Sequence, residues 1–219
     1  MSANDKQALI IVDLQPDFLP GGALAVPEGD AVVPVVMQLM ARFDVVVATQ
    51  DWHPANHGSF AANHAERSPG EVIELHGLSQ ILWPVHCVQG MPGAAFVPEL
   101  AAREGELSAV FRKGQDPSVD SYSGFFDNGK RQDTGLAAWL REQGVGSVAV
   151  CGLALDYCVK FTALDALELG FETTLIPDAT RAVNLSPTDG DKAIAELREA
   201  GASVIEFGAM PQRAGSGLA

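Results

Sequence analysis

The chain has 219 residues, enough for one large domain with a sizeable core, and 47% of them are hydrophobic, which excludes an intrinsically disordered protein. Its 28 acidic and 14 basic residues give a formal net charge of −14. A surface this acidic repels phosphate backbones and anionic lipids, so we expect no nucleic-acid partner and no membrane partner.

Cysteine content and the amino-terminal residues indicate the compartment. The three cysteines are an odd number and a poor disulfide framework, which favours a reducing environment. No stretch approaches the roughly 18 apolar residues of a spanning helix, and the apolar run over 8–12 is too short for a signal-peptide core. The sequence therefore predicts a cytoplasmic protein.

Strand-like and helix-like segments alternate along most of the chain. Apolar, β-branched runs predict strands over residues 7–14, 44–49, 107–112, 147–153, 172–176 and 202–207. Helices are predicted over 30–42, 134–143, 156–169 and 186–201, the last with Ser186 as its cap and Pro187 just inside. This alternation predicts an α/β fold of three αβα layers around a six-stranded, mostly parallel sheet.

One segment interrupts the alternation. Residues 54–100 are rich in His, Pro, Gly and Asn, and a structureless stretch of that length inside a compact domain is usually functional. We predict a single domain over residues 1–219, in which residues 54–100 are an insertion that forms a metal site and substrate pocket. Residues 211–219 are predicted to be a loose polar tail.

Reactive side chains follow the carboxyl ends of the predicted strands. Asp13, Asp51 and Lys113 come at the ends of the first three, and Cys158 follows the fourth at the start of a helix. In an open α/β sheet, that edge holds the ligand crevice. Taken singly, each has an ordinary alternative: a turn aspartate, a solvated lysine and a structural cysteine. Their convergence at one edge predicts a shared site.

Two of these residues have environments that predict their chemistry. Asp13 closes an apolar run, so desolvation is expected to raise its pKa, which suits a general acid or base. Cys158 follows a buried strand and a small-residue turn at a helix N-terminus. Backbone N–H groups and the helix dipole there favour a thiolate and are able to hold an oxyanion.

A carboxylate and two imidazoles form a candidate metal site. Asp51 and His53 lie two residues apart at a strand end, and His86 follows later. This donor set with open positions suits Zn²⁺, Fe²⁺ or Mn²⁺, although an Asp-x-His pair alone is a weak signal. Two roles are left open for His57: a fourth metal ligand, or a group that supports the ligands from behind.

Five segments resemble, in the same order, the motifs of the nicotinamidase/pyrazinamidase family of isochorismatase-like cysteine hydrolases. The matches cover most of the chain, and together they are specific although no single one is. The segments are 11–18 with Pro20-Gly21-Gly22, 49–54 with 57–60, 82–90, Lys113-Gly114 with 120–125, and 152–159.

The resemblance implies a role for each catalytic residue. Cys158 would be the nucleophile, Asp13 the proton acceptor and donor, and Lys113 the cation that holds the thiolate. The Leu153–Ala154 peptide would be cis and would aim the N–H groups of Ala154 and Cys158 at the oxyanion. The implied reaction is hydrolysis of nicotinamide to nicotinate and ammonia through a cysteine thioester, in NAD salvage, with pyrazinamide as a further substrate.

The resemblance also implies the remaining site residues. Asp51, His53 and His86 would bind a divalent metal (zinc, iron or manganese), with Ser59 and His57 reaching it through water or supporting its ligands. The substrate ring would be walled by Phe18, Trp83, Tyr122 and Tyr157. Nicotinamide is the expected partner, and a homo-oligomer is left open.

Three positions depart from the family pattern. Val85 stands beside the metal histidine where Asp is usual, which is expected to weaken the orientation of His86. Leu155 replaces a usual Thr and is expected to alter the turn near the oxyanion site. Pro16, where Asn is common, is a smaller change in a loop over the site.

Other functions are weighed against this one by the same residues. Isochorismatases share the Asp and Lys but lack the cysteine and the metal site, and N-carbamoylsarcosine hydrolases generally lack the metal loop. A non-catalytic scaffold is disfavoured because Asp13, Lys113 and Cys158 are all present. A redox or metal-storage protein is disfavoured because the sequence has no Cys-x-x-Cys motif.

Overall fold

A six-stranded parallel sheet is the centre of the computed structural model, which describes residues 6–210. The predicted tail at 211–219 lies outside the described residues. The strands are β1 (Lys6–Val12), β2 (Val45–Asp51), β3 (Val72–Leu75), β4 (Leu78–Ile81), β5 (Ala109–Lys113), β6 (Val145–Leu153), β7 (Glu172–Arg181) and β8 (Ser203–Val204). The sheet order is β5-β2-β1-β6-β7-β8, while β3 and β4 form a separate antiparallel hairpin.

Helices cover both faces of the sheet, which confirms the predicted three-layer architecture. They are α1 (Val33–Met40), α2 (Pro98–Ala101), α3 (Leu136–Glu142), α4 (Lys160–Glu168) and α5 (Asp189–Glu199). Side chains alternate along β1, so Leu9 and Ile11 pack with α1 and α2, whereas Ile10 and Val12 pack with α3, α4 and α5. None of the helices within residues 6–210 has the length and apolar character needed to cross a bilayer.

The first helix is shorter than predicted. Residues 29–32 form a 3₁₀ turn, and only Val33–Met40 of the predicted 30–42 are α-helical. Pro34 falls in the first turn of α1, where a missing N–H costs no hydrogen bond. Pro34 therefore helps to start this helix and does not interrupt it.

The predicted start of α5 is wrong. The helix begins at Asp189 and not at Ser186-Pro187. The backbone N–H of Ser186 donates to the Asp189 carboxylate (2.8 Å), so Asp189 caps the preceding turn. Serine often caps helices, but here the backbone N–H of Ser186 is the donor and the side chain of Asp189 is the acceptor.

The last two strands differ most from the prediction. Strand β7 continues to Arg181, because a bulge lets Val150 pair with Leu175 and Gly152 pair with Thr180. Strand β8 contains only Ser203–Val204 of the predicted 202–207, and residues 207–209 form a 3₁₀ turn. The longer β7 brings residues 182–184 to the same edge of the sheet as Cys158.

The segment 54–100 has more regular structure than its composition indicates. It contains the β3–β4 hairpin, short 3₁₀ turns at 61–63 and 92–94, and α2. Residues 87–89 of this segment are bonded back to the end of β2: the His53 N–H donates to the Cys87 carbonyl (3.0 Å), and the Gln89 N–H donates to the His53 carbonyl (2.8 Å). The hairpin therefore projects from a fixed base beside the sheet edge.

Candidate active site

A buried lysine lies at the centre of the site. Lys113 ends β5 opposite Asp51 of β2. Its Nζ lies 2.7 Å from Asp51 Oδ1 and 2.8 Å from Asp13 Oδ2, and it donates to the Ser121 carbonyl (2.8 Å) and to Cys158 Sγ (3.4 Å). The structure thus brings the three predicted catalytic side chains together and joins them to a predicted metal ligand.

Asp13 leaves the strand by a sharp turn. It has φ +46°, so β1 ends at Val12 and not at Leu14 as predicted. Thr49 receives the Asp13 N–H (3.2 Å) and donates its hydroxyl to Asp13 Oδ1 (2.6 Å). These two bonds turn the carboxylate towards Lys113.

Cys158 lies in an irregular turn of helix. Residues 155–159 form a π-helical turn, so the regular helix begins at Lys160 and not at Asp156 as predicted. The preceding Leu153–Ala154 peptide is cis, as the resemblance implies. Sγ, an Asp13 oxygen and an Asp51 oxygen all lie within 4.8 Å of one another. The thiol therefore faces both carboxylates and the ammonium.

Burial and neighbouring charges shift the pKa values of Cys158, Asp13 and Lys113. Burial raises the pKa of the Cys158 thiol well above its usual value, with Lys113 opposing the shift. Burial also raises the pKa of Asp13, against the lowering effect of Lys113. Burial works against the charged Lys113, but Asp13 and Asp51 outweigh it and raise its pKa well above its usual value. These shifts favour a thiol over a free thiolate at Cys158, with the Asp13 carboxylate close by to accept the proton.

The predicted metal ligands form a second cluster that shares Asp51. Asp51 Oδ2 lies 3.3 Å from His53 Nε2 and 3.6 Å from His86 Nε2. Burial disfavours ionised Asp51, but Lys113 and His53 outweigh it and hold its pKa well below its usual value. His53 Nε2 is buried without a well-directed hydrogen-bond partner among residues 6–210. An anionic oxygen and two inward-facing imidazole nitrogens fit a divalent cation.

Backbone carbonyls orient both imidazoles. His53 Nδ1 lies 2.8 Å from the Gly114 carbonyl, and His86 Nδ1 lies 2.8 Å from the Pro84 carbonyl. This leaves each Nε2 to face Asp51. Val85 is 42% exposed, so it is turned to solvent, and the Pro84 carbonyl is the group that orients His86.

His57 and Ser59 lie behind the metal cluster. The His57 ring is 4.3 Å from the His53 ring, and its Nδ1 is 2.7 Å from the Ser59 hydroxyl. Burial and the neighbouring His53 lower the pKa of His57 to about 4. Its Nε2 has no well-directed hydrogen-bond partner among the described residues, and one nitrogen of the ring lies within 4.8 Å of possible ligand atoms of His53 and Asp120. The lowered pKa favours a neutral His57 beside the predicted metal ligands.

A cavity opens onto the thiol and the cluster of predicted metal ligands. All four predicted aromatic residues line it, together with Cys158, Ala154, Asp51 and His86. Its walls are Phe18, Leu24, Asp51, Trp83, His86, Asp120, Tyr122, Ala154, Tyr157, Cys158 and Val183. Such a mostly apolar cleft with a few converging polar groups is typical of a small-molecule site.

Three aromatic side chains brace one another along this wall. Trp83 packs edge-on against Tyr157 (4.9 Å between ring centroids), and its indole N–H donates to the Tyr122 hydroxyl (3.1 Å). The Gln80 amide also donates to that hydroxyl (3.2 Å). Phe18 contacts the ring of His86 instead, at 5.6 Å. Flat, rigid walls of this kind fit a planar aromatic ligand.

Several contributing residues were missed by the sequence analysis. Leu24, Asp120 and Val183 line the cavity, and Thr49 holds Asp13. Gln15 pairs with both backbone groups of Asp51, donating to its carbonyl (2.9 Å) and accepting from its N–H (2.8 Å). Gln15, Thr49 and Asp120 carried a signal as polar residues in motifs already singled out, whereas Leu24 and Val183 carried none. Leu155 packs into the α3–α5 face of the core and does not line the cavity.

Comparison with known proteins gives the family. The family model described as "Isochorismatase domain" matches residues 7–207. The chain is 52% identical over 204 residues to the nicotinamidase of Escherichia coli, covering 90% of this chain and 93% of the relative.

Solved structures agree with this similarity. A nicotinamidase/pyrazinamidase structure from Acinetobacter baumanii has a TM-score of 0.89 at 43% identity, with 93% of this chain and 97% of the other covered. A pyrazinamidase of Pyrococcus horikoshii in complex with zinc has a TM-score of 0.74 at 40% identity, with 92% and 99% covered. The chain therefore belongs to the isochorismatase-like hydrolases and, within them, to the nicotinamidase/pyrazinamidase family.

Proposed function

We propose that this nicotinamidase hydrolyses nicotinamide to nicotinate and ammonia through a thioester on Cys158, with Asp13 moving the protons. One observation carries the proposal: the ammonium of Lys113 contacts both Asp13 (2.8 Å) and Cys158 Sγ (3.4 Å) beside the cavity. A thiol, a proton acceptor and a fixed cation within reach of one another are the requirements of nucleophilic catalysis by cysteine.

In the acylation half of the reaction, Asp13 accepts the thiol proton while Lys113 stabilises the new thiolate. Sγ then bonds to the amide carbon, and the carbonyl electrons move to oxygen. The backbone N–H groups of Ala154 and Cys158 are the proposed donors to that oxyanion. Asp13 returns its proton to the amide nitrogen, the C–N bond breaks, and ammonia leaves.

In the second half, water hydrolyses the thioester. Asp13 takes a proton from water while the oxygen of that water bonds to the carbonyl carbon of the thioester. The C–S bond then breaks, the thiol regains its proton, and nicotinate is released. Because Asp13 serves in both halves, its raised pKa is suited to a group that takes up and returns a proton near neutral pH.

We propose that Asp51, His53 and His86 hold a divalent metal, with Ser59 and His57 as supporting groups. When bound, the metal would supply a positive charge that attracts the ring nitrogen of the substrate. Zinc, iron and manganese all suit this donor set, and the zinc complex of the Pyrococcus relative favours zinc. Phe18, Trp83, Tyr122 and Tyr157 would enclose the ring.

The setting of the reaction is proposed on similar grounds. Pyrazinamide is a carboxamide on a flat ring of similar size, so we propose it as a further substrate. Residues 54–100 are proposed to act as the metal-site and pocket segment of a single domain, since they contribute His57, Ser59, Trp83 and His86. The three cysteines are all free, which supports a cytoplasmic location.

Replacement of the nucleophile tests the proposal. Cys158→Ala is expected to lower ammonia release from nicotinamide by at least ~10³-fold, because no thioester forms. Binding of zinc and nicotinamide, measured by calorimetry, is expected to remain. Cys151→Ala is the matched control, since Cys151 is equally buried but lies within β6 away from the cavity. Near-normal turnover by Cys158→Ala would end the hypothesis.

A further inference from the structure

A half-buried carboxylate outside the catalytic group connects two walls of the cavity. Asp17 lies in the 3₁₀ turn Pro16–Phe18 that follows β1. Its neighbour Phe18 lines the cavity, and so does Leu24, whose N–H donates to the Asp17 carbonyl (2.9 Å). The backbone of Asp17 therefore holds one apolar wall of the pocket.

The side chain of Asp17 reaches the loop that carries a metal-site histidine. Its Oδ2 accepts the N–H of Cys87 at 2.7 Å, directly after His86. The carbonyl of Cys87 in turn accepts the N–H of His53 at 3.0 Å. Cys87 has φ +46°, a left-handed conformation that needs support from its surroundings. Asp17 is thus bonded to a residue that follows His86 directly and is itself hydrogen-bonded to His53.

The fit around the Asp17 carboxylate is close. A Cβ added to Gly93 would lie 2.2 Å from all three atoms of that carboxylate group. Gly93 has no positive φ, so glycine is required here by space and not by backbone conformation. Across the same junction, the rings of Phe18 and His86 are 5.6 Å apart. The Asp17 carboxylate, seated against Gly93, therefore bonds the turn that carries Phe18 to the loop that carries His86.

We propose that Asp17 is a positioning residue that sets the His86 loop and the Phe18–Leu24 wall relative to each other, and so controls both metal affinity and substrate affinity. The proposal rests on the proposed metal and ring-binding roles of this site. Asp17 does not line the cavity, so it is not placed to contact the thiol or a bound substrate. Its effect on His86 passes through the backbone of Cys87. A loss of the bond to Cys87 frees His86 and Phe18 together.

The test compares Asp17→Ala with Asp17→Asn and Asp178→Ala. Asp17→Asn keeps a side-chain oxygen for the Cys87 N–H. Asp178 is a matched control, because its carboxylate also accepts a backbone N–H, from Phe207 (2.9 Å), but does not line the cavity. Zn²⁺ affinity is measured on chelator-treated protein by competition with a chromogenic chelator. The values of kcat and KM for nicotinamide are measured at saturating Zn²⁺.

Asp17→Ala is expected to weaken Zn²⁺ binding about 10- to 100-fold and to raise KM about tenfold with kcat nearly kept. Asp17→Asn is expected to recover most of both losses, and Asp178→Ala to change neither. Unchanged Zn²⁺ affinity and KM in folded Asp17→Ala would overturn the proposal. So would a fall in kcat alone.

A second pair of variants covers a failure of Asp17→Ala to fold. Gly93→Ala displaces the carboxylate while keeping it, and is expected to reproduce both losses. Gly105→Ala is its control, because a Cβ there meets no atom within 4 Å. If the parent protein binds no Zn²⁺ through His86, the proposed metal site fails. The KM comparison then still decides the role of Asp17.

Discussion

The charged neighbours of Cys158 and the histidines of the proposed metal site are held in place by different means. Asp13, Asp51 and Lys113 end or follow three adjacent strands, so the sheet register positions their backbones. His86 comes from a loop, and His53 follows the end of its strand. Their rings depend on two carbonyls, those of Pro84 and Gly114. The first group is robust because the whole sheet supports it, whereas the second depends on a few local bonds.

The largest effect is expected where the two regions meet. Lys113→Met leaves Asp13 and Asp51 as buried carboxylates without their shared cation. We expect a loss of about 3–5 kcal/mol of unfolding free energy and at least ~10³-fold in kcat/KM. Chemical denaturation and ammonia release measure the two effects.

A surface lysine provides the comparison for that variant. Lys160→Met removes a partly exposed ion pair with Glu196 and is expected to cost less than about 1 kcal/mol. Equal stability losses in the two variants would show that the buried ammonium is not the support of the strand-end group.

A glycine in the metal-site region gives the next largest effect. In Gly114→Ala, the new Cβ would lie 2.3 Å from His53 Cε1, so the imidazole has to move. We expect Zn²⁺ affinity to fall about 10- to 100-fold, measured by chelator competition. Gly70→Ala is the control: it also has positive φ (+91°), but its Cβ meets no atom within 4 Å. Both variants share a backbone cost of about 1–2 kcal/mol, and equal Zn²⁺ affinities would contradict the prediction.

The strand-end region is expected to respond to pH through Thr49. The Thr49 hydroxyl stabilises ionised Asp13, so Thr49→Val raises the pKa of Asp13 further above its usual value. Asp13 has to be ionised to accept the thiol proton, and activity therefore falls as pH drops through that pKa. The acid limb of the kcat/KM profile is expected to move to higher pH, with Thr173→Val, a remote buried hydroxyl, leaving it in place. An unmoved acid limb would remove Asp13 as the titrating group.

The smallest effect is expected on the outer side of the histidine loop. Val85→Asp restores the residue usual in the family, but the side chain is exposed and Pro84 already orients His86. We expect changes below about twofold in Zn²⁺ affinity and kcat/KM. A clear gain in affinity would mean that the carbonyl alone orients the ring poorly.

The strand-end residues were predictable because parallel strands deliver their carboxyl ends to one edge. Asp13, Lys113 and Cys158 needed only a correct reading of the buried runs and the direction of the sheet. The four aromatic residues came from the family resemblance, since their loops carry no periodic signal. The metal-site histidines were first singled out by donor type and by the spacing of His53 from Asp51, a weak signal that the resemblance strengthened.

Other features could not be read from the sequence. Leu24 and Val183 are apolar residues that line a pocket, and composition does not distinguish them from core residues. The boundary of α5 was wrong because residues 186–188 form a turn, closed by the bond from the Asp189 N–H to the Ser186 carbonyl (3.0 Å), before the helix begins. The bulge that extends β7 depends on its pairing with β6, which is a property of two strands and not of one.

The shared lysine limits how this protein can be redesigned. A single ammonium neutralises one carboxylate that handles protons and another that faces the imidazoles, at 2.8 and 2.7 Å. Suppose that the proposed metal ion is exchanged for one that withdraws more charge from Asp51. Lys113 would then be held more strongly by Asp13, and the reactivity of the Cys158 sulfur would change. Selection for a new metal and selection for a faster nucleophile would therefore act on the same side chain.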